Sequence, residues 1–377
     1  MSPLIEFWSS VELGAFGRGL MRALGEAGFS ASHRFAVGDA QYRRAAGRMG
    51  RAAMRWRSYV SYPLQLRARM NSAPRPDAVV VCTNTFYAPA VAAQAAARSG
   101  VPVVHWIFDL FPDVLAAEGG LAARGAVRRG LAQLTRWTFQ HAAANVFLGD
   151  KLRAYAERQY GVVPHAHVIP VGADGSSFHD SAPGPRPPHH TVRVLYCGNF
   201  GRMHDTDTVM ALLRETTMPP WHLEFRGHGA GFRRVATAVP AQSWVNFAGS
   251  LQDGEWTEAM KAADLALVTL KPGAEGLVMP SKTYSAMVAG QAILAVCPLD
   301  SELADTVRHH DAGWVVQPGR HAELASVLRE AAARPDEVLR RRRNAHRAGH
   351  EHYAQTALTE RWVTLLDSVI RSAKRGR

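Results

Sequence analysis

Cysteine is scarce in this chain. Cys82, Cys197 and Cys297 are scattered over 377 positions, each at the end of an apolar run. They form neither a disulfide framework nor a metal-binding spacing, which points to a reducing, cytoplasmic setting. Long apolar runs are missing too. The longest, such as 286–289 and 292–298, fall far short of the roughly 20 residues that cross a bilayer. The N-terminus lacks the basic-then-apolar pattern of a secretion signal, because Glu6 and Glu12 interrupt it. No repeat at a solenoid period is visible. Acid is absent from one long stretch: no Asp or Glu occurs between Asp39 and Asp77.

That acid-free stretch is strongly basic. It carries Arg43, Arg44, Arg48, Arg51, Arg55, Arg57, Arg67 and Arg69. Arg44, Arg48, Arg51 and Arg55 follow helical spacing, and Ala45, Met49, Ala53, Trp56 and Val60 form a neighbouring apolar stripe. A basic amphipathic helix with an aromatic residue suits an anionic membrane surface. The alternative is a solvated helix that packs its apolar stripe on its own domain. No nucleic-acid motif accompanies the charge. The formal net charge of +12 is uneven: residues 1–190 hold 21 Lys and Arg against 12 Asp and Glu. The N-terminal half therefore favours an anionic partner.

A chain of this length is too long for one ordinary core, and its 47% hydrophobic and 20% charged content suits a globular protein of two domains. Strand-like and helix-like segments alternate throughout. Strands are read at 4–8, 33–37, 77–82, 102–108, 145–148 and 167–171, then at 192–197, 222–226, 244–247, 264–270, 292–297 and 313–316. Alternation of this kind means a parallel α/β sheet. The Pro-, Ser- and His-rich stretch 176–190 has no hydrophobic period and reads as a linker. The expected organisation is 1–175, a linker 176–190, a second domain 191–350 and a terminal helix 351–377.

Three places carry chemistry. In the first, Met279-Pro280-Ser281-Lys282-Thr283-Tyr284 reads as a loop entering a short helix, with Ser281 as N-cap and Gly290 ending the helix in a left-handed conformation. A helix N-terminus with a lysine beside it suits a diphosphate, and the same pattern fits an ordinary surface helix. In the second, a strand runs into Gly198-Asn199-Phe200-Gly201-Arg202-Met203-His204, a glycine loop of the kind that cradles phosphate. Arg202 is the cation of this loop. Asp205-Thr206-Asp207 spells D-x-D, read as helix-capping acids rather than a metal site. In the third, His105 lies in the buried strand 102–108 and Asp109 and Asp113 follow it, at the end where ligands bind in parallel sheets. Asp109 also reads as a turn cap, and His105 as a core histidine.

The strings Met279-Pro280-Ser281-Lys282-Thr283-Tyr284…Met287-Val288-Ala289-Gly290 and Gly198-Asn199-Phe200-Gly201 resemble the donor-site elements of GT-B glycosyltransferases of family four. This resemblance implies a second cation beside Arg202, where His204 stands. Asp109-Leu110-Phe111-Pro112-Asp113 resembles the D-L-W-P-E element of members acting on lipid-linked acceptors. Glu275-Gly276 resembles the first acid of the family's paired-glutamate motif. The family's ribose-binding glutamate falls on Ser285, which is shorter and uncharged.

The resemblance implies two Rossmann-like domains facing a cleft, with a C-terminal helix crossing back to the first. It implies a retaining glycosyltransferase that moves a sugar from a nucleoside-diphosphate sugar to a lipid-linked or glycan acceptor in cell-envelope synthesis. Asp109, Arg202 and Lys282 are then the catalytic candidates. Gly198, Asn199, Gly201, Arg226, Gly249, Glu275, Ser281, Thr283 and Ser285 are the donor-binding candidates. Arg44, Arg48, Arg51, Arg55 and Trp56 would meet the acceptor or the inner membrane face. No metal or other cofactor is required, and no nucleic-acid partner is expected. A non-catalytic binding protein on the same scaffold, motivated by Ser285, and a sugar-nucleotide 2-epimerase are the alternatives.

Overall fold

The computed structural model describes residues 2–38, 41, 47–120, 125–178, 182–187, 189–216 and 218–375. Among these residues, twelve strands form two six-stranded parallel sheets. The first comprises β1 (Leu4–Val11), β2 (Ser30–Val37), β3 (Ala78–Cys82), β4 (Val103–Ile107), β5 (Ala144–Phe147) and β6 (Ala166–Val168), in the order β2-β1-β3-β4-β5-β6. The second comprises β7 (Val192–Asn199), β8 (Trp221–His228), β9 (Val245–Ala248), β10 (Leu265–Thr269), β11 (Ala292–Val296) and β12 (Gly313–Val316), in the order β12-β11-β10-β7-β8-β9.

The sequence explains the central strands. Ala-Val-Val-Val-Cys and Ala-Ile-Leu-Ala-Val are apolar at every position and buried at every position. A strand covered by helices on both faces needs that continuous pattern rather than alternation. Parallel neighbours require a crossover, and the intervening segments supply it as helices.

Two compact units result: residues 1–171 with 358–377, and residues 172–357. The terminal helix Gln355–Arg375 thus gives most of its length to the first unit. Trp362 is buried there, with ring centroids 5.8 Å from Phe7 and 4.9 Å from Trp106.

The stretch 176–190, expected as a linker, is anchored on the second unit. Phe178 is buried and packs edge-on against Trp256 at 5.6 Å. Arg186 donates to Asp264 at 2.6 Å and to the carbonyls of Lys261, Ala262 and Ala263, the C-terminal end of the helix Asp253–Ala262. His190 meets the other oxygen of Asp264 at 2.6 Å. These are single anchored side chains, and they leave no periodic signature.

In the first unit, the helix Gly47–Trp56, a π-helical turn Arg57–Ser61 and the helix Tyr62–Met70 run on without a break. Tyr62, Leu66 and Met70 bury one face of the last helix. Arg69 pins it further, reaching the buried Glu6 of β1 at 2.7 Å, where Trp8 Nε1 and Arg34 also donate. The first helix contrasts with this. Its Ala53, Arg55 and Trp56 are exposed, Trp56 at 60% of its surface, as are Tyr59 and Val60 of the π-helical turn, each at 43%, and Leu64 on the other face of the last helix at 61%. The alternative in which the apolar stripe packs on its own domain therefore fails at Ala53, Trp56 and Val60. Arg44 lies outside the described residues, as do the side chains of Arg48 and Arg51.

Candidate active site

The second unit's site begins at the carboxyl ends of β7 and β8. Gly198 (φ 114°) is the penultimate residue of β7, Gly227 (φ 153°) is the penultimate residue of β8, and Gly229 (φ 117°) follows β8. The two glycine loops are packed backbone to backbone. A Cβ on Gly227 would lie 2.0 Å from the Gly198 carbonyl oxygen, and one on Gly229 would lie 2.4 Å from that of Phe200. Phe200 N–H donates to the His228 carbonyl at 2.7 Å, and Gly231 N–H returns to the Phe200 carbonyl at 2.8 Å. Only glycine fits at 227 and 229. Phe200 is the plug beneath, stacked on Tyr196 at 4.3 Å.

Lys282 arrives from the other side, at the start of the helix Lys282–Val288. Its Nζ donates to the Tyr196 hydroxyl at 2.5 Å and to the Asn199 carbonyl at 3.0 Å. It lies 4.1 Å from the centre of the Tyr196 ring and 3.4 Å from His204 Nε2. No carboxylate pairs with it among the described residues. Burial pushes the ammonium down to about 7, although the side chain keeps part of its surface open to solvent. A cation held by dipoles alone, at the lip of a glycine loop, is poised to accept an anion.

Arg202, one turn of chain away, is exposed and has no partner among the described residues. Asn199 and Gly201 complete the loop, with Gly201 open enough for a side chain to meet only the Asn199 amide, at 3.4 Å.

Several expectations are corrected here. Ser281 is exposed, adopts helical angles and makes no capping hydrogen bond. With seven residues, the helix Lys282–Val288 gives the site little dipole, and its positive charge comes from Lys282. Thr283 is fully buried and its hydroxyl donates to the Pro280 carbonyl at 2.8 Å, so its side chain faces the core rather than a ligand.

His204 is not a second cation. Its Nδ1–H donates to the Thr269 carbonyl at 2.6 Å, which leaves Nε2 as an acceptor facing Lys282. Burial, and then Lys282, push it down to about 3. Glu275 turns back on its own loop and accepts Gly273 N–H at 2.7 Å. Arg226 is held by Glu224 at 2.5 Å. Gly249 is exposed in open space, and the Ser285 hydroxyl is half-buried with no partner among the described residues.

Asp205 accepts Asp207 N–H at 3.2 Å at the start of the helix Asp207–Glu215, and Asp207 pairs with Arg234 at 2.7 Å. No group of three His, Cys, Asp or Glu side chains among the described residues is placed to hold a metal. Sequence reasoning missed Tyr196 altogether. Its only signal was an aromatic residue near the end of a strand, which is usually core.

In the first unit, the loop after β4 holds Asp109. Thr83 Oγ1 accepts the N–H groups of Phe108 and Asp109 at 3.0 and 3.1 Å and fixes the turn. The Asp109 carboxyl caps nothing and has no partner among the described residues. Burial, helped by Glu118, pushes it up to about 6. Its neighbours are structural. His105 is buried on Asn145, and Asp113 is buried against Arg128, Tyr155 and Tyr160.

Residues 21–176 match Glycosyltransferase Family 4, and residues 191–334 match Glycosyl transferases group 1. The chain belongs to this glycosyltransferase family, and its two parallel α/β units have the GT-B type of fold.

A probable glycosyltransferase of Pseudomonas aeruginosa, WbjE, is 26% identical over 244 residues. That match takes in 61% of this chain and spans about three fifths (60%) of the relative's length.

Among solved structures, sucrose-phosphate synthase from Thermosynechococcus elongatus is 16% identical, with 98% of this chain and 100% of that one covered and a TM-score of 0.74. Anabaena HepE in complex with UDP-glucose is also 16% identical, with 97% and 99% covered and a TM-score of 0.69. WaaG, a glycosyltransferase involved in lipopolysaccharide biosynthesis, is 18% identical, with 96% and 99% covered and a TM-score of 0.67. At these identities the structures speak for the fold alone.

Proposed function

We propose that this chain is a retaining glycosyltransferase that moves a sugar from a nucleoside diphosphate to a lipid-linked or glycan acceptor of the cell envelope. The observation that carries this reading is the Lys282 ammonium, held by Tyr196 and the Asn199 carbonyl with no carboxylate opposite it among the described residues. Together with the exposed Arg202 and the glycine loop, it supplies preorganised charge for a departing diphosphate.

In this reading the bond from the sugar's anomeric carbon to the diphosphate breaks. A bond from the acceptor oxygen to that carbon forms on the same face. The acceptor's proton passes to the departing diphosphate oxygen, so no enzymic nucleophile takes part. Asp109 contacts the transferred sugar. Arg226, Gly249 and Ser285 meet the nucleoside. The diphosphate charge is met by Lys282, Arg202 and backbone N–H groups, and the reading asks for no metal.

The basic Gly47–Trp56 helix, with Arg55 and Trp56 exposed, supports work at an anionic, cytoplasmic membrane face. No helix among the described residues is long and apolar enough to cross a membrane. HepE was solved in complex with UDP-glucose, which makes UDP the first base to try.

Thermal unfolding with UDP, GDP, ADP and CMP in turn, with and without magnesium, tests the donor half of the reading. A rise with one nucleoside diphosphate, indifferent to magnesium, supports a metal-free donor site and names the base. No rise with any of them favours the non-catalytic alternative, with Ser285 as the first suspect. NMR of the product anomer separates retention from inversion.

A further inference from the structure

The first unit carries an apolar groove of about 450 Å³ that donor chemistry leaves unused. Phe86 and Tyr87 stand at one end. Val91 and Gln94 continue along the helix Ala88–Ser99, and Leu134 and Trp137 form the opposite wall from the helix Ala126–His141. From Tyr87 to Gln94 is two helical turns, roughly 10 Å of wall.

The Phe86 end is tied to the candidate acceptor chemistry. Its ring lies 5.8 Å from Phe111, in the loop that also holds Asp109. The same end is tied to the basic helix: Tyr59 lies 6.4 Å from both Phe86 and Tyr87. Beyond Tyr59, the exposed Trp56, Val60 and Leu64 extend the apolar surface, and the exposed Arg55 and Arg57 flank it.

We infer that this groove holds one hydrocarbon chain of an anionic lipid, the lipid that carries the acceptor. The inference rests on the lipid-acceptor reading above and assigns the chain its place. Three features select this occupant. The walls are apolar, with Tyr87 and Gln94 as the polar exceptions. The volume is that of a small-molecule site rather than of a protein interface. The groove also opens between a cationic helix, complementary to lipid phosphate, and the loop of Asp109. A chain lying in it leads its phosphate head toward that loop. Each methylene buried there adds to affinity, so binding grows with chain length until the groove is full.

The test uses the full chain with farnesyl phosphate and dimethylallyl phosphate, which share a head group and differ in tail. Binding is read by quenching of tryptophan fluorescence and by titration calorimetry. Farnesyl phosphate is expected to bind at least about tenfold more tightly. Gln94→Trp, an exposed position whose new ring narrows the groove, is expected to erase that preference while leaving the thermal shift with nucleoside diphosphate intact. A benzophenone-tailed farnesyl phosphate is expected to label the helix Ala126–His141.

Equal affinity for the two phosphates overturns the inference. So does a preference that survives Gln94→Trp, or labelling confined to other elements, which would point to a protein partner for the groove. These outcomes leave the donor site untouched. Loss of the nucleotide shift with the chain-length preference intact would instead fault the transferase reading.

Discussion

Donor binding should draw a proton into the protein, and Lys282 is the reason. In the empty site burial holds its ammonium at about 7, far below an ordinary lysine. Diphosphate oxygens beside it favour the charged form and return it toward the usual range. The groups facing Lys282 are Tyr196, Cys197 and His204. Tyr196 is raised well above its usual range, Cys197 is raised to about 11 and His204 is lowered to about 3, each chiefly by burial. None of them titrates between neutrality and mild alkali.

The nucleotide's own phosphate is fully ionised above about pH 7.5. From there upward the linkage belongs to Lys282. At about pH 8 the empty site is roughly nine-tenths deprotonated, so binding takes up about 0.9 proton. The dissociation constant should then rise by nearly tenfold per pH unit.

Calorimetry of the nucleoside diphosphate in buffers of different ionisation enthalpy counts the proton directly. Lys282→Arg, which keeps its charge across this range, should bind with little pH dependence. Lys282→Met should bind weakly with no uptake. A wild-type dissociation constant that stays flat from about pH 7.5 to 9 would refute the account.

Asp109 sits at about 6, so its carboxylate form is lost as pH falls through that value. Activity should show an acid limb there, and Asp109→Asn should remove the limb with a drop in kcat of about a hundredfold or more. Gly229→Ala pushes a methyl group to 2.4 Å from the Phe200 carbonyl. It should abolish the nucleotide shift while the first unit's hydrocarbon binding survives. Arg69→Leu leaves the buried Glu6 with the half-exposed Arg34 as its remaining ion-pair partner. A loss of about 3 kcal/mol in urea unfolding is expected. Reversing the Arg44, Arg48, Arg51 and Arg55 charges should stop the protein pelleting with anionic vesicles, and unchanged pelleting would remove that helix from the contact.

The central strands β3 and β11 appear in the sequence as unbroken apolar runs, because a strand buried on both faces leaves little room for polar residues, whereas β2 and β8 carry exposed polar residues. The end of the candidate helix was legible for the same local reason. Gly290 adopts φ 73°, its N–H meets the Met287 carbonyl, and Gln291 N–H meets that of Ala286. That is a Schellman closure, and it wants glycine.

The start of the helix was less legible. Ser281 has the right chemistry for a cap, but the turn before it is already helical, with Thr283 and Tyr284 N–H groups bonded to Pro280 and Ser281 carbonyls. Thr283 and Lys282 are sequence neighbours on opposite sides of one turn, so only one of them faces the loop.

The cage around Lys282 was invisible in the sequence. Tyr196, Asn199, His204 and Thr269 come from strands and loops that meet only in the folded sheet. The neutral state of His204 is set by burial and by Lys282, which act on it only in the fold.

The most direct test of the donor site is thermal unfolding of the wild type and an Arg202→Ala, Lys282→Ala double variant with the preferred nucleoside diphosphate. At a hundred times the dissociation constant, mass action stabilises the wild type by about 2.7 kcal/mol, a rise of several degrees. The account predicts that rise for the wild type and none for the double variant at the same concentration. Equal rises in the two proteins would contradict it, because the diphosphate would then be held elsewhere.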